Sequence, residues 1–78
     1  MIKINLQLFS ILREKLPPEL KGRSVMHVEE GATLKDLLDQ LGIERRVVIS
    51  VNDVQETDTT RQLNDGDEVK IFSSVSGG

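Results

Sequence analysis

The sequence carries one clear amphipathic helix, and this limits the fold more than any other feature. Leucines recur with helical spacing along a single face: Leu34, Leu37, Leu38 and Leu41. Thr33 and Asp36 form a capping box at the start of this helix, and Gly42 stands where a helix C-cap is expected. One apolar helix face covers one face of a sheet, so we expect the strands of the chain to share a single sheet.

The remaining regular segments predict short strands around that helix. Alternation or β-branched residues indicate strands over residues 1–9, 24–29, 47–51 and 68–72. Ser10–Leu16 predicts a short helix that Ser10 caps and Pro17 ends. The order predicts an α+β fold: a mixed sheet of four to five strands with one main and one short helix. It fits a β-grasp (ubiquitin-like) roll, although periodicity alone leaves other α+β folds open.

Composition removes several classes of function. The 78 residues carry a net charge of −3, no Cys, Trp or Tyr, and one His. A disulfide framework, a thiolate metal site and a cysteine nucleophile are excluded, and base-stacking platforms are disfavoured. No apolar run has the length of a membrane helix. We therefore expect a small cytoplasmic domain that binds no nucleic acid, membrane, metal or cofactor.

Side chains suited to catalysis are few. His27 lies between Met26 and Val28, and we interpret it as a surface histidine on an edge strand. The acidic residues Asp65, Asp67 and Glu68 lie within or directly after a strong turn signal, Asn64–Asp67. We interpret them as solvated turn charges rather than as a metal site or an acid/base pair. The chain is not expected to supply catalytic side chains of its own.

The segment after the last strand is the best candidate for chemistry. We divide the chain into a domain over residues 1–72 and a flexible tail over residues 73–78 that closes on Gly77 and Gly78. Glycine has no Cβ, so such an arm can enter a narrow channel and deliver a terminal carboxylate into the active site of another protein. Alternation places Phe72 on the face opposite Val69 and Ile71, where we expect an exposed interface anchor. The alternative is a ring folded back over the edge of the core.

Four stretches of the sequence resemble a known family. They are Phe9–Leu16 (FSILREKL), Glu30–Leu38 (EGATLKDLL), Ser50–Asn52 with Leu63–Val69 (LNDGDEV), and Val75–Gly78 (VSGG). Together they resemble the MoaD/ThiS group of ubiquitin-like sulfur carriers, and specifically the small subunit of molybdopterin synthase. The resemblance spans essentially the whole chain and implies the β-grasp fold.

The resemblance also implies a reaction cycle. An adenylating enzyme related to ubiquitin-activating enzymes would use ATP and Mg²⁺ to adenylate Gly78, and a sulfur donor would convert it to a thiocarboxylate. The large subunit would then supply the catalytic side chains and use this sulfur for the molybdopterin dithiolene, made from cyclic pyranopterin monophosphate. Gly77 and Gly78 correspond to the reactive arm, and Phe72 and Val75 to partner contacts. Ser73-Ser74 replaces the family's frequent Pro-Pro, which predicts a looser arm.

Other functions remain open at this point. The thiamine-pathway carriers share the arm, but the Ser10–Leu20 insertion argues against them. A protein modifier conjugated through Gly78, like ubiquitin, would use the same arm. A plain β-grasp interaction module with an accidental Gly-Gly is the fourth possibility.

Overall fold

The structure, a computed structural model, describes residues 1–44 and 46–73. In these residues the regular structure consists of five strands and one α-helix, with two short 3₁₀ helices after the first strand. Their bounds are β1 Ile2–Leu8, the first 3₁₀ helix Ser10–Lys15, the second 3₁₀ helix Pro18–Leu20, β2 Arg23–Val28, α1 Leu34–Leu41, β3 Val47–Val51, β4 Val54–Glu56 and β5 Glu68–Ser73.

The strands form one mixed sheet in the order β2-β1-β5-β3-β4. The first and last strands, β1 and β5, run parallel at its centre, and every other neighbouring pair is antiparallel. This is the β-grasp arrangement, so the predicted fold is confirmed. The strand β4 is an addition to the four strands placed from sequence, and β5 runs one residue further, to Ser73, than the predicted domain boundary.

Alternation along the strands decides which face is buried. In β1 every second side chain enters the core, from Ile2 to Leu8, while Lys3 and Asn5 lie on the other face. The buried face packs with Leu34 and Leu37 of α1 into one hydrophobic cluster. The opposite face of the sheet is not covered by α1 and is called the open face below.

The ends of α1 are fixed by local hydrogen bonds, as the sequence predicts. The Thr33 hydroxyl accepts from the Asp36 N–H (3.2 Å), and the Asp36 carboxylate accepts from the Thr33 N–H (3.0 Å). Gly42 adopts φ +73° at the C-cap, and its N–H donates to Asp39 O at 3.1 Å. Both caps satisfy backbone groups that a helix end leaves without partners.

The segment after β1 differs from its prediction. It forms a 3₁₀ helix, and Ser10 makes no capping bond; the N-cap is Phe9. Leu16 is extended before Pro17, because the proline ring disfavours helical geometry in the preceding residue. Gly22, with φ +79°, then brings the chain against β1, where an added Cβ would lie 2.6 Å from Leu8 O. Only glycine fits this contact.

Within the described residues, no helix combines the length and apolar character that crossing a bilayer requires.

Candidate functional site

The site is built on β5, the strand that leads into the Gly-Gly tail. β5 pairs with β1 on one side and with β3 on the other, so its backbone is held from both directions. The side chains of Val69 and Ile71, on the core-facing side of β5, are fully buried. Ile71 O also accepts from the Phe9 N–H at 3.2 Å. The root of the tail is therefore fixed to the most constrained part of the sheet.

An aromatic pair lies on the open face at this end of β5. The rings of Phe9 and Phe72 stack with centroids 4.3 Å apart and an interplanar angle of 13°. Phe9 follows β1 directly, and the parallel pairing of β1 with β5 brings the two rings together. Val48 of β3 stands opposite Phe72 in the register. We call Phe9, Val48 and Phe72 the aromatic patch.

Phe72 lies on the face that alternation predicts, but its surroundings differ from the expectation. The side chain was expected to be exposed, whereas it is half-buried and stacked on Phe9. The burial follows from the stack, because each ring covers one side of the other. Phe9 was not singled out as a site residue. Its position at the end of the first predicted strand, together with the β-grasp fold that the resemblance implies, is the signal that could have found it. The patch remains partly open to solvent.

The interpretation of Asp67 as a solvated turn charge is wrong. Asp67 is only 6% exposed. Its Oδ1 accepts from Asn52 Nδ2 at 3.0 Å, and its Oδ2 accepts from the Asn64 N–H at 2.8 Å. Arg61 Nη1 lies 3.7 Å from the same Oδ2. A buried carboxylate with these partners is a structural link between the β3–β4 turn and the start of β5.

The two neighbouring acidic residues do not join Asp67 in a site. Asp65 Oδ1 accepts from the Lys3 N–H at 2.8 Å, which ties the turn to β1. Glu68 is exposed, and its N–H donates to Asn52 Oδ1 at 3.0 Å. Among the described residues, no group of three or more His, Cys, Asp or Glu side chains could hold a metal ion.

The remaining titratable features lie away from the tail. His27 is exposed on the edge strand β2, as its sequence context indicates. Asp58 lies in the loop after β4, where the Thr60 hydroxyl and then the Thr60 N–H donate to its carboxylate and hold its pKa below the ordinary aspartate value. Among the described residues, no hydrogen bond connects His27 or Asp58 to the aromatic patch.

Three of the predicted site residues lie outside the described residues. They are Val75, Gly77 and Gly78. Of the predicted site, the structure therefore describes Phe72 and the strand that carries it. Those residues supply a strand that is held in the sheet and, beside its end, a partly exposed apolar surface. A partner protein can bind such a surface.

The sheet order, the single covering helix and the patch at the end of the central strand define a ubiquitin-like β-grasp protein. The chain belongs to the ThiS family, whose sequence profile matches residues 6–78. This is the ThiS/MoaD group of ubiquitin-like sulfur carriers. A search of curated protein sequences gives no significant match.

Solved structures share the fold at low sequence identity. A putative molybdopterin converting factor subunit 1 from Pyrococcus furiosus is 22% identical, with a TM-score of 0.77 over 96% of this chain and 100% of that one. The small archaeal modifier protein 1 of Haloferax volcanii is 20% identical, with a TM-score of 0.75 over 96% and 100%. Subunit 1 in a complex of subunits 1 and 2 of the Helicobacter pylori molybdopterin-converting factor is 19% identical, with a TM-score of 0.67 over 99% and 100%.

Proposed function

We propose that this protein is the sulfur-carrying small subunit of a molybdopterin synthase. The observation that carries the proposal is the family match that runs to residue 78 and so includes Gly77 and Gly78. In this proposal Gly78 is the terminal residue and its carboxylate is the reactive group. The chain delivers sulfur, and the large subunit supplies the catalytic side chains.

The proposed charging reaction has two steps. An oxygen of the Gly78 carboxylate attacks the α-phosphorus of ATP on an adenylating enzyme, and Mg²⁺-bound pyrophosphate leaves. A sulfur nucleophile, written here as hydrosulfide, then attacks the carbonyl carbon of the acyl adenylate, and AMP leaves. The product is a thiocarboxylate in which sulfur replaces one carboxylate oxygen. This chain binds neither ATP nor Mg²⁺ in the proposal, because both belong to the activating partner.

The root of the tail supports delivery of this group to a partner. β5 is paired with β1 as far as Ile71 and with β3 as far as Ser73, so the end of β5, where the chain exits the strand, is held in the sheet. The aromatic patch lies beside that exit and offers partly open apolar surface. We propose that Phe72, with Val75 beyond it, contacts both the adenylating enzyme and the large subunit, so that the two partners bind in turn.

Two features favour the molybdopterin branch over the thiamine branch. The Ser10–Leu20 insertion forms the two 3₁₀ helices between β1 and β2, where thiamine-pathway carriers are expected to turn directly. Two of the structural relatives are named as molybdopterin converting factor subunit 1, and one of these is in a complex with subunit 2. The product of the proposed synthase is the molybdopterin dithiolene, formed from cyclic pyranopterin monophosphate.

A protein modifier is the second candidate. The observation that favours it is the likeness to the small archaeal modifier protein 1, which has nearly the same TM-score as the first relative. The adenylated Gly78 would then acylate a lysine amine instead of a sulfur nucleophile. The two functions share the first step and diverge in the nucleophile that attacks the acyl adenylate.

The intact mass of the protein tests the proposal. The purified chain is incubated with the adenylating enzyme of the same organism, ATP, Mg²⁺ and hydrosulfide. We expect the mass to rise by the difference between one sulfur and one oxygen atom. A matched control carries one alanine beyond Gly78 and should not gain this mass, because its carboxylate no longer belongs to a glycine. An unchanged mass for the wild-type chain contradicts the carrier chemistry.

A second measurement separates the two candidates. The charged chain is mixed with the large subunit and cyclic pyranopterin monophosphate, and the mass should return to that of the carboxylate as sulfur leaves. Retention of sulfur there, together with chain-sized additions to other proteins in a lysate, favours the modifier instead.

A further inference from the structure

Within residues 1–44 and 46–73, the sheet has one long free edge, the strand β2. The other edge strand, β4, has only three residues, which is one way in which sheets avoid pairing with other molecules. β2 has six residues and pairs with β1 in an unbroken register without a bulge or a proline. Its outer edge therefore offers a regular template to another strand.

The hydrogen-bond pattern shows which residues of β2 direct their backbone N–H and C=O groups away from β1. Leu8 N donates to Gly22 O, which marks Leu8 and Gly22 as a hydrogen-bonded pair of the antiparallel ladder. These pairs alternate, so the even-numbered residues of β2 bond to β1 and the odd-numbered ones direct their backbone groups outward. The outward residues are Arg23, Val25 and His27. Among these outward backbone groups, Val25 O accepts a long hydrogen bond of 3.5 Å from the Ser24 hydroxyl.

The charges along this edge complement those of an identical edge placed antiparallel to it. Arg23 begins β2, and Glu29 follows its last residue. Both are exposed, and neither has an ion pair with a described residue. Val25, between them on the open face, is 51% exposed. An antiparallel copy of the same edge would place opposite charges against each other at both ends.

We propose that β2 pairs antiparallel with β2 of a second copy of this chain, about a two-fold axis at Met26. In this register Val25 exchanges backbone hydrogen bonds with His27 of the second copy, and Arg23 faces Glu29 of the second copy. The two half-buried Met26 side chains meet on the helix-covered side of the sheet. The result is a continuous ten-stranded sheet with two reciprocal ion pairs.

The alternation of outward-facing backbone groups and the positions of the charges together select this register. The odd-numbered residues must face odd-numbered residues, so the strands can shift only in steps of two. A shift one way places Arg23 opposite His27 of the second copy, and a shift the other way places Glu29 opposite Val25. Both shifts lose the two Arg23–Glu29 ion pairs. The first shift would place Lys21 opposite Glu29, but Lys21 lies before β2 in a left-handed conformation. The two-fold arrangement also closes, so it stops at a dimer rather than extending into a filament.

The proposal goes beyond the carrier function and does not depend on it. β2 is separated from β5 by β1, so the root of the tail and the aromatic patch lie away from the paired edge. An interface made from one strand edge buries less surface than a standard stable interface, so we expect a weak dimer. It forms in a range from about 10 μM to about 1 mM protein rather than at nanomolar concentration.

Sedimentation velocity on the purified full chain over that concentration range tests the proposal. We expect reversible growth from monomer to dimer, and weaker association at high salt because exposed ion pairs are screened. Amide hydrogen exchange should slow with concentration at Arg23, Val25 and His27. A monomer throughout the range overturns the proposal and leaves the edge for a strand of another protein. Growth beyond the dimer also overturns it, because that indicates open-ended pairing.

Charge reversal tests the register. R23E and E29R each place like charges opposite each other twice per dimer, and each should weaken the dimer by about tenfold. The double variant R23E/E29R restores opposite charges and should restore wild-type affinity. R46E makes the same change in net charge as R23E at another exposed position and should have little effect. R23E and E29R change the net charge in opposite directions, so weakening by both excludes a general charge effect. Failure of the double variant to recover overturns the proposed register.

Discussion

At the scale of single residues, Asp67 shows how much depends on partners distant in the sequence. Its turn motif indicates a solvated charge, but Asn52 and Arg61 enclose the carboxylate from two other parts of the chain. Arg61 Nη1 is itself buried and, among the described groups, has the ion pair with Asp67 rather than a hydrogen bond. No local pattern reports these contacts, so the burial of Asp67 could not be predicted from sequence.

Replacement of Asp67 should destabilise the fold without touching the aromatic patch. D67A leaves the Asn52 amide and the Asn64 N–H without their acceptor and the buried Arg61 Nη1 without its ion-pair partner, and we expect a loss of about 1–3 kcal/mol in the free energy of unfolding. Urea denaturation measures it. D39A removes an exposed carboxylate from α1 whose ion pair with Lys35 is largely solvated, and it should change the free energy by less than about 0.5 kcal/mol. Equal losses in the two variants would contradict the structural role.

The stacked pair Phe9–Phe72 gives a second prediction at this scale. F72A would lose both the stack and any partner contact, so F72L is the better probe because it keeps apolar volume against Phe9. We expect F72L to weaken binding to the large subunit by about tenfold, as loss of an aromatic anchor does. Isothermal titration measures the affinity, and V54A, at a 67% exposed side chain on β4, is the control. If F72L and V54A bind equally well, Phe72 is not an interface residue.

At the scale of elements, the sequence predicts those features that depend on residues close together in the chain. Both ends of α1 are predicted because the capping box and Gly42 act within a few residues. The strand β4 was not predicted, because it depends on a tight turn at Asn52 and Asp53, both with positive φ, and on pairing with β3. Its residues are polar or exposed and show no core-facing alternation. The 3₁₀ geometry after β1 depends in the same way on contacts beyond the segment.

Loss of the capping box should weaken the helix by a defined amount. In T33A the Asp36 N–H loses its acceptor, and we expect about 1 kcal/mol less stability in urea denaturation. T57A removes an exposed hydroxyl from the loop after β4 and serves as the control. A T33A effect no larger than that of T57A would show that the box does not hold the helix start.

At the scale of the whole molecule, the residues predict the layers but not the strand order. One leucine stripe and alternating strands give a single sheet covered on one face, and the structure agrees. The placement of β5 between β1 and β3 follows from pairing between distant segments, and only the family resemblance indicated it. For the site, alternation places Phe72 on the correct face, whereas the Phe9 stack depends on the parallel register of β1 and β5.

Removal of Gly78 should separate folding from function. The buried core lies between Ile2 and Ile71, so we expect the deletion variant to have the melting temperature of the wild-type chain. It should show no mass gain in the charging reaction, because the variant no longer has the Gly-Gly end that the adenylating enzyme is proposed to accept. Circular dichroism and intact mass are the two measurements. A fall in melting temperature of about 4–8 °C would correspond to roughly 1 kcal/mol and would mean that this residue contributes to the body of the fold.

The central pairing of β1 with β5 has a consequence for biosynthesis. Asn5 pairs with Glu68 and Leu8 with Ile71, so nearly the whole sequence lies between the partners. Such distant contacts form late and slow folding. A chain still missing β5 has a gap between β1 and β3, and it cannot close its core. Any interrupted or truncated translation product of this kind is therefore left open to proteolysis rather than circulating as a folded body without its Gly-Gly segment.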